Sequence, residues 1–289
     1  MTTIRTDGAS LYHERRGSGP ALLMISGGGG DAGYYSEVAE RLADTYTVLT
    51  YDRRGNSRST VDDPASPLDM AEQTADALAV LRHNDFTSAL VFGGSGGALI
   101  ALDLAARHRT VVEGLIAHEP PVFALMSDVE HDLFAEIAEI TRSEGAWPAY
   151  VRFIATIDRV DKPGLLHRPL GRRLVGGLAR TAVRVAGLGP RSLREMSRVM
   201  GNAEYLMSNE VAPFLAHTTD FAALAGIPIV IGVGAESRQY YMARAGEAVA
   251  ERLGVPVVEF PGKHAGYVAS PEVFAVRLRE VLAGLRQPA

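Results

Sequence analysis

Short apolar runs of four to seven residues alternate along the chain with longer runs in which apolar positions recur every three to four residues. The short runs fall at residues 21–26, 47–52, 89–92, 114–118, 227–233 and 255–260. They are nearly continuous in β-branched and aliphatic side chains, the pattern of strands covered on both faces. Between them, helical spacing predicts helices over 35–43, 70–84, 96–107, 238–253 and 271–285. A further strand is expected over 4–14, where Leu11 and His13 alternate with polar neighbours ahead of the Gly17-Ser18-Gly19-Pro20 turn. Strand and helix in alternation predict an α/β fold, a mainly parallel sheet flanked by helices.

The alternation stops between Glu119 and Asp220. Helical spacing there covers 128–142, 148–157, 172–185 and 192–207, broken by a Pro163-Gly164 turn and by Gly189-Pro190. A helical excursion between two strands of a parallel sheet sits over one end of that sheet and can exclude water from a cleft. The expected organisation is therefore a core of residues 1–119 and 220–289 with an inserted helical cap of residues 120–219. A chain of 289 residues suits one such domain with an insertion.

Charge and composition narrow the chemistry. A net charge of −5 offers no basic stripe for a phosphate backbone, so nucleic acid is not the expected partner and a small-molecule substrate is. No window reaches the roughly 18 uncharged apolar residues of a membrane span, and the opening Met1-Thr2-Thr3-Ile4-Arg5 lacks the basic and apolar regions of a signal peptide. A cytoplasmic protein with no membrane partner is the expectation, with a homodimer left open. Without cysteine, covalent chemistry must run through Ser, Thr, Lys or a carboxylate. No His-x-x-x-His or His-Glu-x-x-His spacing occurs, so neither a metal nor another cofactor is expected. The glycine-rich turns match neither a P-loop nor the dinucleotide fingerprint.

The most informative stretch is Gly93-Gly94-Ser95-Gly96-Gly97, a Gly-x-Ser-x-Gly placed directly after a predicted strand and before a predicted helix. A sharp strand-to-helix turn strains the serine backbone, and neighbours without Cβ let chain and helix approach closely. The hydroxyl is then lifted to a helix N-terminus, which favours the anion formed on attack.

Two further segments carry a family resemblance. Tyr51-Asp52-Arg53-Arg54-Gly55-Asn56-Ser57 and Gly262-Lys263-His264-Ala265-Gly266-Tyr267, together with the serine turn, make the chain resemble the α/β-hydrolase fold family over nearly its whole length, with Asn56 and Ser57 departing from the usual glycine. The resemblance implies a serine nucleophile, Ser95, and a catalytic histidine, His264, on the loop after the final strand. An imidazole is the suitable base for a serine hydroxyl near neutrality, and His13, His83, His108, His131, His167 and His217 read as helix ends, strand, cap or surface positions. The acid that orients the imidazole is expected just after the strand at 227–233, where Glu236 is the first choice. Glu119, at the end of the strand after the nucleophile helix, is the alternative. The resemblance also implies an oxyanion loop at Ser26-Gly27-Gly28-Gly29-Gly30, with amides of Gly28, Gly29 and Gly96 facing substrate and Tyr34 able to donate a hydrogen bond nearby. Trp147, Phe153, Met196, Met200, Tyr205 and Met207 are pocket candidates in the cap.

Three functions follow from these residues. One is a serine hydrolase acting on a small ester, lactone or thioester through an acyl-enzyme. Another is a cofactor-free lyase, cyclase or tailoring enzyme of secondary metabolism in which His264 moves a proton and Ser95 only holds substrate. The third is a silent ligand-binding protein using the same cleft.

Overall fold

The computed structural model describes residues 2–157 and 164–285. Nine strands form one sheet: β1 (Thr2–Thr6), β2 (Ala9–Arg16), β3 (Ala21–Ile25), β4 (Thr47–Tyr51), β5 (Thr60–Val61), β6 (Ala89–Gly94), β7 (Val112–His118), β8 (Ile229–Gly234) and β9 (Val257–Phe260). Their order is β1-β2-β4-β3-β6-β7-β8-β9, with β5 pairing on β2. The pairs made by β2 are antiparallel, and every pair from β4 across to β9 is parallel. Strands β3, β4 and β6 are buried at every position, which is why they read as unbroken apolar runs.

The helices are α1 (Ser36–Leu42), α2 (Met70–His83), α3 (Gly96–Arg107), α4 (Asp128–Glu144), α5 (Ala146–Ile157), α6 (Pro169–Ala186), α7 (Arg191–Gly201), α8 (Ala203–Tyr205), α9 (Val211–Ala216), α10 (Tyr241–Leu253), α11 (Gly266–Ala269) and α12 (Pro271–Leu285). One apolar layer joins α2, α3 and α10 to the sheet through residues such as Leu81, Leu99 and Val249. The opposite layer joins α1 and α12 through Val38, Leu42, Phe274 and Leu278. Each sheet face is thereby closed, as a parallel sheet requires.

Among the described residues, the chain between β7 and β8 is helical and adds no strand. Its elements α4, α5 and α9 pack on their own cluster of Phe134, Ile137, Ile140, Ala149, Leu206, Met207 and Val211, joined by Tyr241 and Met242 of α10. Two details differ from the sequence reading. The strand expected over 4–14 is two strands, β1 and β2, because Gly8 at φ 71° turns the chain between them. The helix expected over 192–207 ends at Gly201, restarts as α8 and continues as a π-helical turn, Leu206–Glu210, into α9. Pro163 of the expected Pro163-Gly164 turn lies outside the described residues.

Candidate active site

Ser95 occupies the single-residue junction between β6 and α3, at φ 54° and ψ −127°. A non-glycine residue is strained in this region, and the surroundings hold it there. A Cβ at Gly97 would lie 2.1 Å from the Ile25 carbonyl oxygen, so the start of α3 can rest on the end of β3 only if residue 97 is glycine. Gly27 makes the matching approach from the other side, where a Cβ would lie 2.8 Å from the Ser95 Cβ. The Ser95 N–H donates to the His118 carbonyl at 2.9 Å, tying the turn to β7.

Directly after β7, Glu119 is fully buried and also holds a positive φ, 48°. Its Oε2 lies 2.6 Å from His264 Nδ1, while Oε1 accepts the Gly234 N–H at 2.8 Å and the Ser237 hydroxyl. Burial alone would push this carboxyl up, but His264 and these donors hold it down, to about 2. Glu119 is therefore the carboxylate set against the imidazole. Glu236, the first choice from the sequence, is exposed on the loop after β8 and does not fill that place. Ser237, the next residue, points inward instead, with its hydroxyl committed to Glu119 and within 3.0 Å of the Gly234 carbonyl.

His118, which the sequence reading left unassigned, sets the other side of the histidine loop. Its Nε2 is 3.2 Å from the His264 carbonyl oxygen, an acceptor only, so Nε2 carries the proton. Phe92, Phe260, Tyr267 and Phe274 surround the ring, and burial lowers its pKa to about 4. His118 thus stays neutral while anchoring the backbone of His264.

The glycine loop after β3 is held from above and below. Its own turn closes with the Gly30 N–H on the Gly27 carbonyl at 3.0 Å. Arg53, wholly buried, donates Nε to the Ser26 carbonyl at 3.0 Å and NH2 to the Gly27 carbonyl at 2.8 Å. The same guanidinium makes a two-pronged pair with Glu210 of the π-helical turn, at 2.8 and 2.7 Å. Asn56 Nδ2 donates to the same carboxylate at 2.9 Å. Farther along this seam, Asp31 accepts Arg198 Nε at 2.8 Å and the Ser57 hydroxyl at 2.6 Å. Asn202 donates to the Gly29 carbonyl and accepts the Ser57 N–H at 2.8 Å. The helical insertion therefore grips the loop through Arg198, Asn202 and Glu210, none of which the sequence reading singled out.

Above these elements lies a cavity of about 370 Å³ lined by Gly27, Gly28, Gly29, Tyr34, Ser95 and His264 from the core. Tyr150, Phe153, Ile154, Val199 and Leu206 close it from the insertion. A second lobe of about 50 Å³ also reaches Ser95, Gly28 and Phe153, and adds Gly96, Phe134, Phe214, Leu215 and Met242. The structure thus brings Ser95, His264, Gly28, Gly29, Gly96 and Tyr34 to one place. Of the insertion candidates, Phe153 lines both lobes, whereas Trp147 and Met207 are buried in packing, Met196 is exposed and Tyr205 covers Gly55. Among the described residues, no group of three His, Asp or Glu side chains is placed to hold a metal.

The sequence profile of the alpha/beta hydrolase fold matches residues 20–173. The chain is 32% identical over 286 residues to the uncharacterized hydrolase YraK of Bacillus subtilis (strain 168), covering 97% of this chain and 95% of that protein. It is 25% identical over 283 residues to a zearalenone hydrolase from Bionectria ochroleuca, covering 95% and 94%. Among solved structures, a thermophilic esterase from Thermogutta terrifontis superposes with a TM-score of 0.68 at 19% identity, over 99% of both chains. At that identity the superposition shows a shared fold.

Proposed function

The chain belongs to the alpha/beta hydrolase fold family, and on that premise we propose that it is a serine hydrolase cleaving a small ester, lactone or thioester through an acyl-enzyme. The observation that carries this reading is the buried contact of 2.6 Å between Glu119 and His264 Nδ1, in the wall of the cavity that Ser95 also lines.

Ser95 Oγ attacks the substrate carbonyl as its proton passes to His264 Nε2. Glu119 holds the ring by Nδ1 and steadies the imidazolium that forms. The oxyanion is met by the N–H groups of Gly28 and Gly96, residues that line the same lobe of the cavity as Ser95. The imidazolium then protonates the leaving group. Water repeats the sequence on the acyl-enzyme and releases the acid. The helical insertion, residues 120–219, acts as a cap that excludes bulk water from the carbonyl.

Labelling with a fluorophosphonate followed by digestion tests this. A mass increment on the Ser95 peptide, lost in His264→Ala, is the expected result. An intact, folded protein that resists labelling would overturn the acyl-enzyme.

A further inference from the structure

The two lobes that meet at Ser95 differ in size, wall chemistry and access to the imidazole. His264 lines the lobe of about 370 Å³ and is not among the residues lining the lobe of about 50 Å³, whereas Gly28 and Ser95 line both and Gly96 lines the smaller. This asymmetry assigns the two sides of an ester. The leaving oxygen must take its proton from the imidazole, so the alcohol has to lie on the histidine side. The acyl substituent, bonded to the carbon whose oxygen sits between the Gly28 and Gly96 amides, points the other way.

Resting on the serine-hydrolase reading, we propose that the natural substrate is a short-chain acyl ester, acetyl to propionyl, of an uncharged and substantially apolar alcohol or phenol. The acyl group occupies the lobe walled by Phe134, Phe214, Leu215 and Met242. The alcohol occupies the lobe walled by Tyr34, Tyr150, Phe153 and Leu206.

Volumes support the division. Water takes up about 30 Å³ in the liquid and a cavity of about 150 Å³ holds benzene. The small lobe therefore has room for one or two carbons, and the large lobe for a ring with a tether. Lengthening the acyl group would force carbons into a wall of buried side chains, Phe134 and Met242 among them, and overpacking of that kind is costly. The large lobe contains no Asp, Glu, Lys or Arg among its lining residues. A charged alcohol would leave water without a partner there, while tyrosine hydroxyls and glycine amides suit a neutral polar atom.

The chemical step balances within the site. The bond from Ser95 Oγ to the acyl carbon forms, and the bond from that carbon to the alcohol oxygen breaks. The serine proton passes through His264 to the departing alcohol. Water then supplies the hydroxyl of the released short acid and returns its other proton to Ser95.

A pair of isomeric esters that differ only in direction reads the assignment. The enzyme should hydrolyse 2-phenylethyl acetate with a kcat/KM at least tenfold above that for methyl 3-phenylpropanoate. Equal rates, or a preference for the methyl ester, would overturn the placement of the two sides. On p-nitrophenyl esters, kcat/KM should fall by at least a hundredfold from acetate to octanoate. Leu215→Ala and Met242→Ala, made separately because the second side chain is the more deeply buried, should each narrow that ratio by tenfold or more. A flat chain-length profile in the wild type, or a ratio unmoved in both folded variants, would defeat the acyl-lobe argument. A carboxylate on the ring of the phenylethyl ester should lower kcat/KM by at least tenfold, and undiminished turnover would contradict the neutral-alcohol requirement. The outcome that removes the underlying reading is different in kind: no turnover of any ester and no fluorophosphonate label on Ser95.

Discussion

Two carboxylates with no exposed surface, Glu119 beneath the histidine loop and Glu210 above the glycine loop, solve opposite problems. Glu210 faces a guanidinium that is charged at all times, and the pair is fixed by two hydrogen bonds to Arg53. Glu119 faces an imidazole whose charge would come and go in the proposed mechanism, and its remaining capacity is filled by the Gly234 amide and the Ser237 hydroxyl. The first arrangement keeps two backbone carbonyls, those of Ser26 and Gly27, in one orientation. The second keeps a proton acceptor in one tautomer. Both carboxylates are needed where they are because an unpaired buried charge is costly, but only Glu119 has a part in the proposed chemistry.

The sharpest way to separate these roles begins at the proposed nucleophile. Ser95→Ala should lower kcat by about 10⁶ with the fold retained, as loss of a triad nucleophile does elsewhere, and steady-state kinetics with circular dichroism checks both halves. Glu119→Gln should cost about 10⁴ in kcat, by analogy with replacement of a triad carboxylate by its amide. Glu236→Gln should leave kcat within twofold, about the scatter of an exposed substitution. A reversal of these two would return the acid role to the loop after β8.

Glu210→Ala should act on stability before activity. Stranding the Arg53 guanidinium should cost about 3–5 kcal/mol in denaturant unfolding, and replacing both partners with apolar residues should cost less than replacing one. If Glu210→Ala instead left stability unchanged and abolished turnover, the division between the two carboxylates would fail.

The smallest effect concerns pH. Burial keeps the folded pKa of His118 at about 4, below its ordinary 6.5. As pH falls from 6.5 toward 4, the unfolded chain binds a proton at this imidazole that the folded protein refuses. Stability should decline over that window by about 3 kcal/mol. Glu119, whose folded pKa is held down to about 2, adds a further loss below about pH 4.5, where the unfolded carboxylate begins to protonate. Denaturant midpoints between pH 7 and 4 measure the first effect, and His118→Gln should flatten the slope.

Much of the floor was legible in the chain and little of the seam was. Strands β3, β4 and β6 stand out because burial on both faces leaves no polar position to interrupt them. Ser95 and His264 stand out because glycines surround them for steric reasons. Glu119 was visible only as an alternative, since nothing in His118-Glu119-Pro120 reveals a positive φ or the turn of the side chain toward residue 264. The residue that explains the choice is Ser237, whose hydroxyl is seen on Glu119 only in the folded chain. The seam left weaker traces still. Asn56 and Ser57 were readable only as departures from glycine, yet they bond Glu210 and Asn202 of the insertion and Asp31 beside it, and the Arg53–Glu210 pair spans 157 positions with no local periodicity to betray it.

The π-helical turn at Leu206–Glu210 makes the insertion intolerant of a changed residue count. Such a turn is an α-helix carrying one surplus residue, and removing any one of the five would restore ordinary winding. With one residue fewer between them, Leu206 and Glu210 would stand three ordinary steps of about 100° apart instead of four steps of the wider turn. The Leu206 side chain over Gly28 and the Glu210 carboxylate on Arg53 could then no longer be satisfied together. Relatives that bind their glycine loop in this manner should therefore conserve the length of this segment more strictly than its composition, and place their insertions and deletions elsewhere.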